Sequence, residues 1–159
     1  MIAKEENDRL DLYHHIQTLR LDGELHLAPI GPEPQRVLDL ATGTGIWAID
    51  FGDKYPTAEV LGNDISPIQP SLVPPNVKFE VDDLEDEWVY STKFDYIHAR
   101  YLCCSIRDWP KLMRQAFKYV LNTHRSARSE RGRRRRCTVL LTRGAQICQT
   151  RRLGRVPGF

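Results

Sequence analysis

Apolar residues recur along the chain in two alternating rhythms, and that alternation predicts the fold. Val37, Leu38 and Leu40 make a short apolar run interrupted by one acid, Asp39, and the run stops at Thr42-Gly43-Thr44-Gly45. Such a run bounded by glycines reads as a buried strand. Ile46 to Lys54 reads as a helix ended by Tyr55-Pro56, and Glu59-Val-Leu-Gly-Asn-Asp64 reads as the second strand. Asn76 to Val81 alternates as a third strand, and Phe94 to Ala99 forms a fourth that leads to Arg100.

Two further helices complete the pattern. Residues 7–22 place Leu12, Ile16 and Leu19 at helical spacing, with Asn7 or Asp8 as N-cap and Gly23 as stop. Trp109, Leu112, Met113, Ala116, Phe117, Val120 and Leu121 follow a core-facing helical spacing, with Asp108 as N-cap and Pro110 in the first turn. Pro29, Pro32 and Pro34 make the first link irregular, and Pro67, Pro70, Pro74 and Pro75 exclude a long helix before the third strand. Strands joined by crossovers predict an α/β fold whose parallel sheet has the first strand at its centre and right-handed connections.

The acids that break the apolar runs carry the chemistry. A lone carboxylate inside a buried strand is costly unless paired or ligand-linked, so Asp39 is expected to face the sheet's carboxyl end, where ligands of open α/β sheets lie. Gly43 and Gly45 are expected to take positive φ and to let backbone approach a nucleotide-like ligand. Asp64 ends the second strand 19 residues beyond Gly45, a spacing that suits an acceptor for ribose hydroxyls. Asp82-Asp83-Leu84 follows the third strand, and Asp83 could accept from an adenine amino group beside a backbone N–H. Each acid has a plainer alternative: Asp39 as a loop cap, Asp64 in a turn before Ser66-Pro67, and the run through Glu87 as a solvated loop. His14 and His15 on the first helix read as a packed or solvated face, or as part of a substrate lid.

Composition alters this picture in one place. The net charge of +2 hides a split: residues 1–121 hold 12 basic and 20 acidic residues, a net of −8, whereas residues 122–159 hold 11 Arg, no Lys and one Glu, a net of +10. The acidic body is not expected to bind nucleic acid; the run Arg131-Gly-Arg-Arg-Arg-Arg136 could neutralise phosphates or serve as a nuclear-import signal. No stretch of 18 apolar residues occurs and the N-terminus lacks a signal-peptide core, so an intracellular protein, cytoplasmic or nuclear, with no membrane span is expected. Cys103, Cys104, Cys137 and Cys148 have no zinc-like spacing, so reduced thiols and no metal are expected.

Val37-Leu-Asp-Leu-Ala-Thr-Gly-Thr-Gly45 resembles the first motif of class I S-adenosylmethionine-dependent methyltransferases, with Ala41 where a glycine is usual. Arg9-Leu-Asp-Leu-Tyr-His-His15, Leu27-Ala-Pro-Ile30, Gly43-Thr-Gly-Ile-Trp-Ala-Ile-Asp-Phe51 and Phe94-Asp-Tyr-Ile-His-Ala-Arg100 are similar, more narrowly, to the fungal LaeA-type methyltransferases of secondary metabolism. The resemblance covers about residues 7–121 and implies a Rossmann-like, mostly parallel class I sheet that binds S-adenosyl-L-methionine. It implies that Ala41, Thr42, Gly43 and Gly45 wrap the methionine part, with Asp39 beneath them near the cofactor's amino group. It further implies that Asp64 holds the ribose, Ile65 flanks the adenine, Asp82, Asp83 and Leu84 border and read its edge, and Ala99 and Arg100 border the methyl group.

Beyond Leu121 the family pattern stops: the expected Pro-Gly-Gly-like turn and three further strands are replaced by the Arg-rich stretch. The sheet is therefore expected to be truncated after the fourth strand and its helix, with only 137–142 able to add a strand. Residues 7–121 form the expected methyltransferase core, and 122–159 an Arg-rich tail that is disordered or foreign to the family, as a shifted reading frame or retained intron would produce. The implied partner is a small-molecule or protein methyl acceptor; oligomeric state and catalytic residue are not assigned, with His98, His14 and His15 as base candidates by residue type. Two other functions compete. Gly43-Thr-Gly-Ile-Trp-Ala48 also satisfies a dinucleotide-binding fingerprint, and the basic tail could make a nucleic-acid-binding protein.

Overall fold

The structure, a computed structural model, describes residues 4–103, 105–121, 139–143 and 146–147. Four parallel strands form its centre: β1 (Arg36–Leu40), β2 (Glu59–Asp64), β3 (Val77–Val81) and β4 (Tyr96–Arg100). Two short strands, β5 (Val139–Arg143) and β6 (Gln146–Ile147), extend the sheet, giving the order β3-β2-β1-β4-β5-β6. β5 runs parallel to β4 and covers its edge, while β6 returns antiparallel. The sheet thus continues past the four strands that the apolar pattern predicts most clearly. The rest of the stretch from 122 onward lies outside the described residues, including the run from Arg131 to Arg136.

The period of two along β1 and β4 divides the sheet into two faces. Leu38, Leu40, Ile97 and Ala99 point to one side and pack under α3 (Trp109–Tyr119), against Leu112, Ala116 and Tyr119. Val37 and Tyr96 point to the other and pack under α2 (Ile46–Lys54), against Trp47, Ala48 and Phe51. Helices on both faces of a parallel sheet are the layering that buries such two-sided strands. Asp108 caps α3 by accepting from the Lys111 N–H at 2.8 Å. The helix stops at Tyr119, two residues short of the apolar pattern. Val120 instead bridges to Phe94 at the sheet's end, and Phe117, expected in the core, is exposed.

The first helix, α1 (Lys4–Arg20), reverses expectation more deeply. Leu12 and Leu19 are 58% and 64% exposed and Ile16 is exposed too, while His14 is the buried residue of the helix. Its inward side carries Asn7, Asp11, Gln17 and Thr18, all at least half-covered. The cause is what lies beneath it: α1 covers the polar carboxyl rim of the sheet rather than the apolar face of a strand. Asp11 accepts from the Thr44 hydroxyl at 2.6 Å, and His14 from the Arg100 guanidinium at 2.8 Å.

Candidate functional site

A cavity of about 210 Å³ opens where β1, β2 and β4 end and α1 passes over them. Of the residues singled out from the sequence, Asp39, Ala41, Thr42, Gly43, Asp64 and Arg100 line it. Gly45, Ile65, Asp82, Asp83, Leu84 and Ala99 do not. The reasons are physical and differ from one residue to the next. Ala99 points to the α3 face and is fully buried there, and Leu84 is in the same core. Ile65 is exposed just past β2, and Asp83 is exposed past β3, where its carboxylate accepts the Glu85 N–H at 2.9 Å. Gly45 takes φ +82° as the N-cap of α2, and a Cβ there would lie 2.4 Å from the Phe79 ring, so packing alone already requires its bareness.

The acids that reach the cavity are held by the protein itself. Asp39 is 3% exposed; one oxygen accepts from the Thr42 hydroxyl and the other from His98 Nδ1–H, both at 2.6 Å. Register makes the second contact possible, because Asp39 and His98 are Cα partners on neighbouring parallel strands. Asp64 accepts the Gly43 N–H at 2.8 Å with one oxygen and the Ser66 N–H at 2.9 Å with the other. Ala41 and Gly43 both lie at positive φ, +50° and +61°, which turns the loop back toward β2. Only the glycine adopts this without strain.

Basic groups face these acids across the cavity. Arg100 donates to His14 Nδ1, so that nitrogen carries no proton, and His14 Nε2–H donates to Asp50 at 2.8 Å. His15, the neighbour in the sequence pair, is exposed. Burial pushes the Arg100 guanidinium below its ordinary value, with Asp39 opposing the shift. Burial likewise lowers the His98 imidazole, against the pull of Asp39, so His98 is neutral near pH 7. His98 also stacks on Trp47, with ring centroids 3.7 Å apart and planes within 4°.

Several lining residues carry no signal in the one-dimensional pattern: Leu10, Thr44, Ile68, Tyr101, Leu102 and Ser105. Tyr101 has φ +62°, rare for an aromatic residue, and its hydroxyl accepts from Gln17 of α1 at 2.8 Å. His98 was readable in part. It lies two residues before Arg100 in a strand, so both must share a face. Among the described residues no group of three or more His, Cys, Asp or Glu is arranged to hold a metal, and no helix is long and apolar enough to cross a membrane.

Comparison with known families bears directly on this geometry. The Methyltransferase domain family matches residues 13–125, a span that takes in β1 to β4, α2, α3 and every cavity-lining residue but Leu10. The chain belongs to this family. Methyltransferase pytC of Aspergillus terreus is 51% identical over 118 residues, covering 74% of this chain and 36% of that one. Protein-methionine methyltransferase laeA of Emericella nidulans is 42% identical over 120 residues, 74% of this chain and 32% of its own. The chain therefore spans about a third of the length of these curated relatives. Among solved structures, coclaurine N-methyltransferase bound to N-methylheliamine and SAH superposes with a TM-score of 0.57 at 20% identity, over 65% of this chain and 32% of that one. At that identity the likeness is one of fold: the Rossmann-like class I methyltransferase sheet.

Proposed function

We propose that this chain is the cofactor-binding portion of an S-adenosyl-L-methionine-dependent methyltransferase of fungal secondary metabolism. The observation that carries the reading is the bond from the Gly43 N–H to the half-covered Asp64, beside a buried carboxylate, Asp39. A dinucleotide-binding turn keeps its glycine N–H groups and helix end open to a pyrophosphate. Here that N–H is already given to a carboxylate, and two acids line the cavity, a setting that favours a cationic ligand over a phosphate. This favours the sulfonium cofactor over the oxidoreductase alternative that Gly43, Gly45 and Ala48 also permit.

The residues present fit such a cofactor. The cavity, at about 210 Å³, is smaller than the roughly 300–1,000 Å³ of sites that enclose a whole drug-sized ligand, so it takes the amino-acid and ribose end. Asp64 retains free lone pairs for ribose hydroxyls, and Arg100 is the cation available to a carboxylate. Asp82, whose N–H bonds the Asp64 carbonyl at 3.1 Å, and the exposed Asp83 at the rim of β3 would be the residues to meet the base. When bound, the cofactor supplies an electrophilic methyl carbon for in-line displacement. The chain's task is then to hold that carbon in line with a nucleophile and to keep water away, which α1 and Tyr101 do by covering the rim. The acceptor is a small molecule or a protein side chain, and relatives from Cochliobolus heterostrophus and Aspergillus flavus, 44% and 43% identical and each named a secondary metabolism regulator, support a place in secondary metabolism.

Calorimetric titration of the chain with S-adenosylhomocysteine tests the reading. One site per chain is expected, and Asp64→Ala is expected to weaken it at least about tenfold, the effect of losing a charge-assisted hydrogen bond. Unchanged affinity in Asp64→Ala would remove the assignment.

A further inference from the structure

We propose that His98, held in one tautomer by Asp39, is the hydrogen-bond acceptor in this cavity for the α-ammonium group of the cofactor's amino-acid end. The inference rests on the cofactor reading above and assigns to a histidine the contact that the family resemblance places near an aspartate.

Both oxygens of Asp39 are engaged, one by Thr42 and one by His98. A carboxylate can only accept, so the shared proton sits on His98 Nδ1, and a neutral imidazole then has its lone pair on Nε2. His98 lines the cavity, and its Nε2 has no hydrogen-bond partner among the described residues; nor is it one of their fully buried, unpaired atoms. The stack on Trp47 fixes the ring plane, while Thr42 fixes the far side of Asp39. Thr42, Asp39, His98 and Trp47 together leave the imidazole one orientation and one proton placement. The outcome is a neutral acceptor on a ring that lines the cavity beside Asp64 and Arg100, which matches an ammonium donor.

The charged and titratable groups around His98 favour this state. Asp39 of β1 attracts a proton to the ring, whereas Arg100 of β4 and His14 of α1 oppose its charging, and His26, before β1, interacts with it more weakly. Burial is the largest influence and keeps the ring neutral. A protonated His98 would present N–H to N–H and repel the ammonium. Affinity for a ligand carrying that group should therefore be level near neutrality and fall as pH drops below the ordinary imidazole value of about 6.5.

The test compares two probes on the whole chain by calorimetry: S-adenosylhomocysteine, which carries the ammonium, and methylthioadenosine, which lacks the amino-acid end. His98→Phe and the milder His98→Gln are expected to weaken S-adenosylhomocysteine about tenfold or more while leaving methylthioadenosine unchanged. Asp39→Asn, which can donate to Nδ1 and so reverse the tautomer, is expected to act in the same direction. Acidification from about pH 7.5 through the lowered folded-state value of His98 should cost the unsubstituted chain S-adenosylhomocysteine affinity but not methylthioadenosine affinity. If the variants weaken both probes equally, or if pH affects both alike, His98 is structural and the inference fails. If the unsubstituted chain binds neither probe, the cofactor reading fails first and this inference with it.

Discussion

Three strands of this sheet end in acid, yet the chain treats the three ends differently. At β1 and β2 the carboxylates of Asp39 and Asp64 are covered and hold structural partners: Thr42 and His98 for the first, Gly43 and Ser66 for the second. At β3 the carboxylate of Asp83 stands in solvent and holds only the next turn, through the Glu85 N–H. The sheet order explains the contrast. β2 and β4 both adjoin β1, so their ends meet across one strand spacing, whereas β3 is two spacings away from β1, roughly 10 Å at about 4.8 Å per strand. An acid of the first pair is tied into the fold where it lines the cavity, whereas the acid past β3 is held by one turn alone.

The largest effect expected from breaking this contrast is at Asp39. Asp39→Ala leaves buried His98 and the Thr42 hydroxyl without their partner, and should destabilise the fold by about 3 kcal/mol in denaturant unfolding. Asp64→Ala strips the acceptor from two backbone N–H groups at a half-covered site, and about 1–2 kcal/mol is expected by the same measurement. Acid pH should erode stability as well. Burial lowers both His98 and His26 in the folded state, so the unfolded chain takes up protons first. Stability should then be intact above the ordinary imidazole value of about 6.5 and decline as pH falls through it, visible as a lower denaturation midpoint.

Smaller effects sharpen the same comparison. Ala41→Gly, between the two held acids, relieves a positive φ in a residue with a Cβ and should add about 0.5–1 kcal/mol of stability. Asp83→Ala should change stability by less than about 0.5 kcal/mol, because its carboxylate is exposed and supports one turn. Its affinity for S-adenosylhomocysteine should nevertheless fall a few-fold. A loss of stability at Asp83 comparable to that at Asp39 would erase the distinction between the two regions.

The elements were legible because their signals are local. Glycine, proline and the period of the apolar residues bound β1 to β4, α2 and α3 to within a residue or two of where they lie. The site was legible from local signals at Gly43, Asp39 and Asp64, and from the family resemblance at Ala41, Thr42 and Arg100, all of which line the cavity. What the sequence hid is set by contacts between distant segments. The pairing of Asp39 with His98 depends on strand register, 59 residues apart in sequence. The place of Asp83 depends on strand order, which periodicity does not encode. The apolar stripe of α1 misleads because it assumes a helix packed on an apolar face, whereas this one covers the sheet's carboxyl rim through polar contacts of Asp11, His14 and Gln17. The same covering explains why His14 is the buried residue of α1 while Leu12 and Leu19 are exposed.

The central claim is that the glycine turn and its two held acids receive an adenosyl sulfonium and not a dinucleotide. Parallel calorimetric titrations of the chain with S-adenosylhomocysteine and with NADH, in the same buffer, test it most directly. Saturable one-to-one binding of S-adenosylhomocysteine is expected, with at least about tenfold weaker binding of NADH, whose pyrophosphate would meet Asp64 where it needs the Gly43 N–H. Tighter binding of NADH would contradict it.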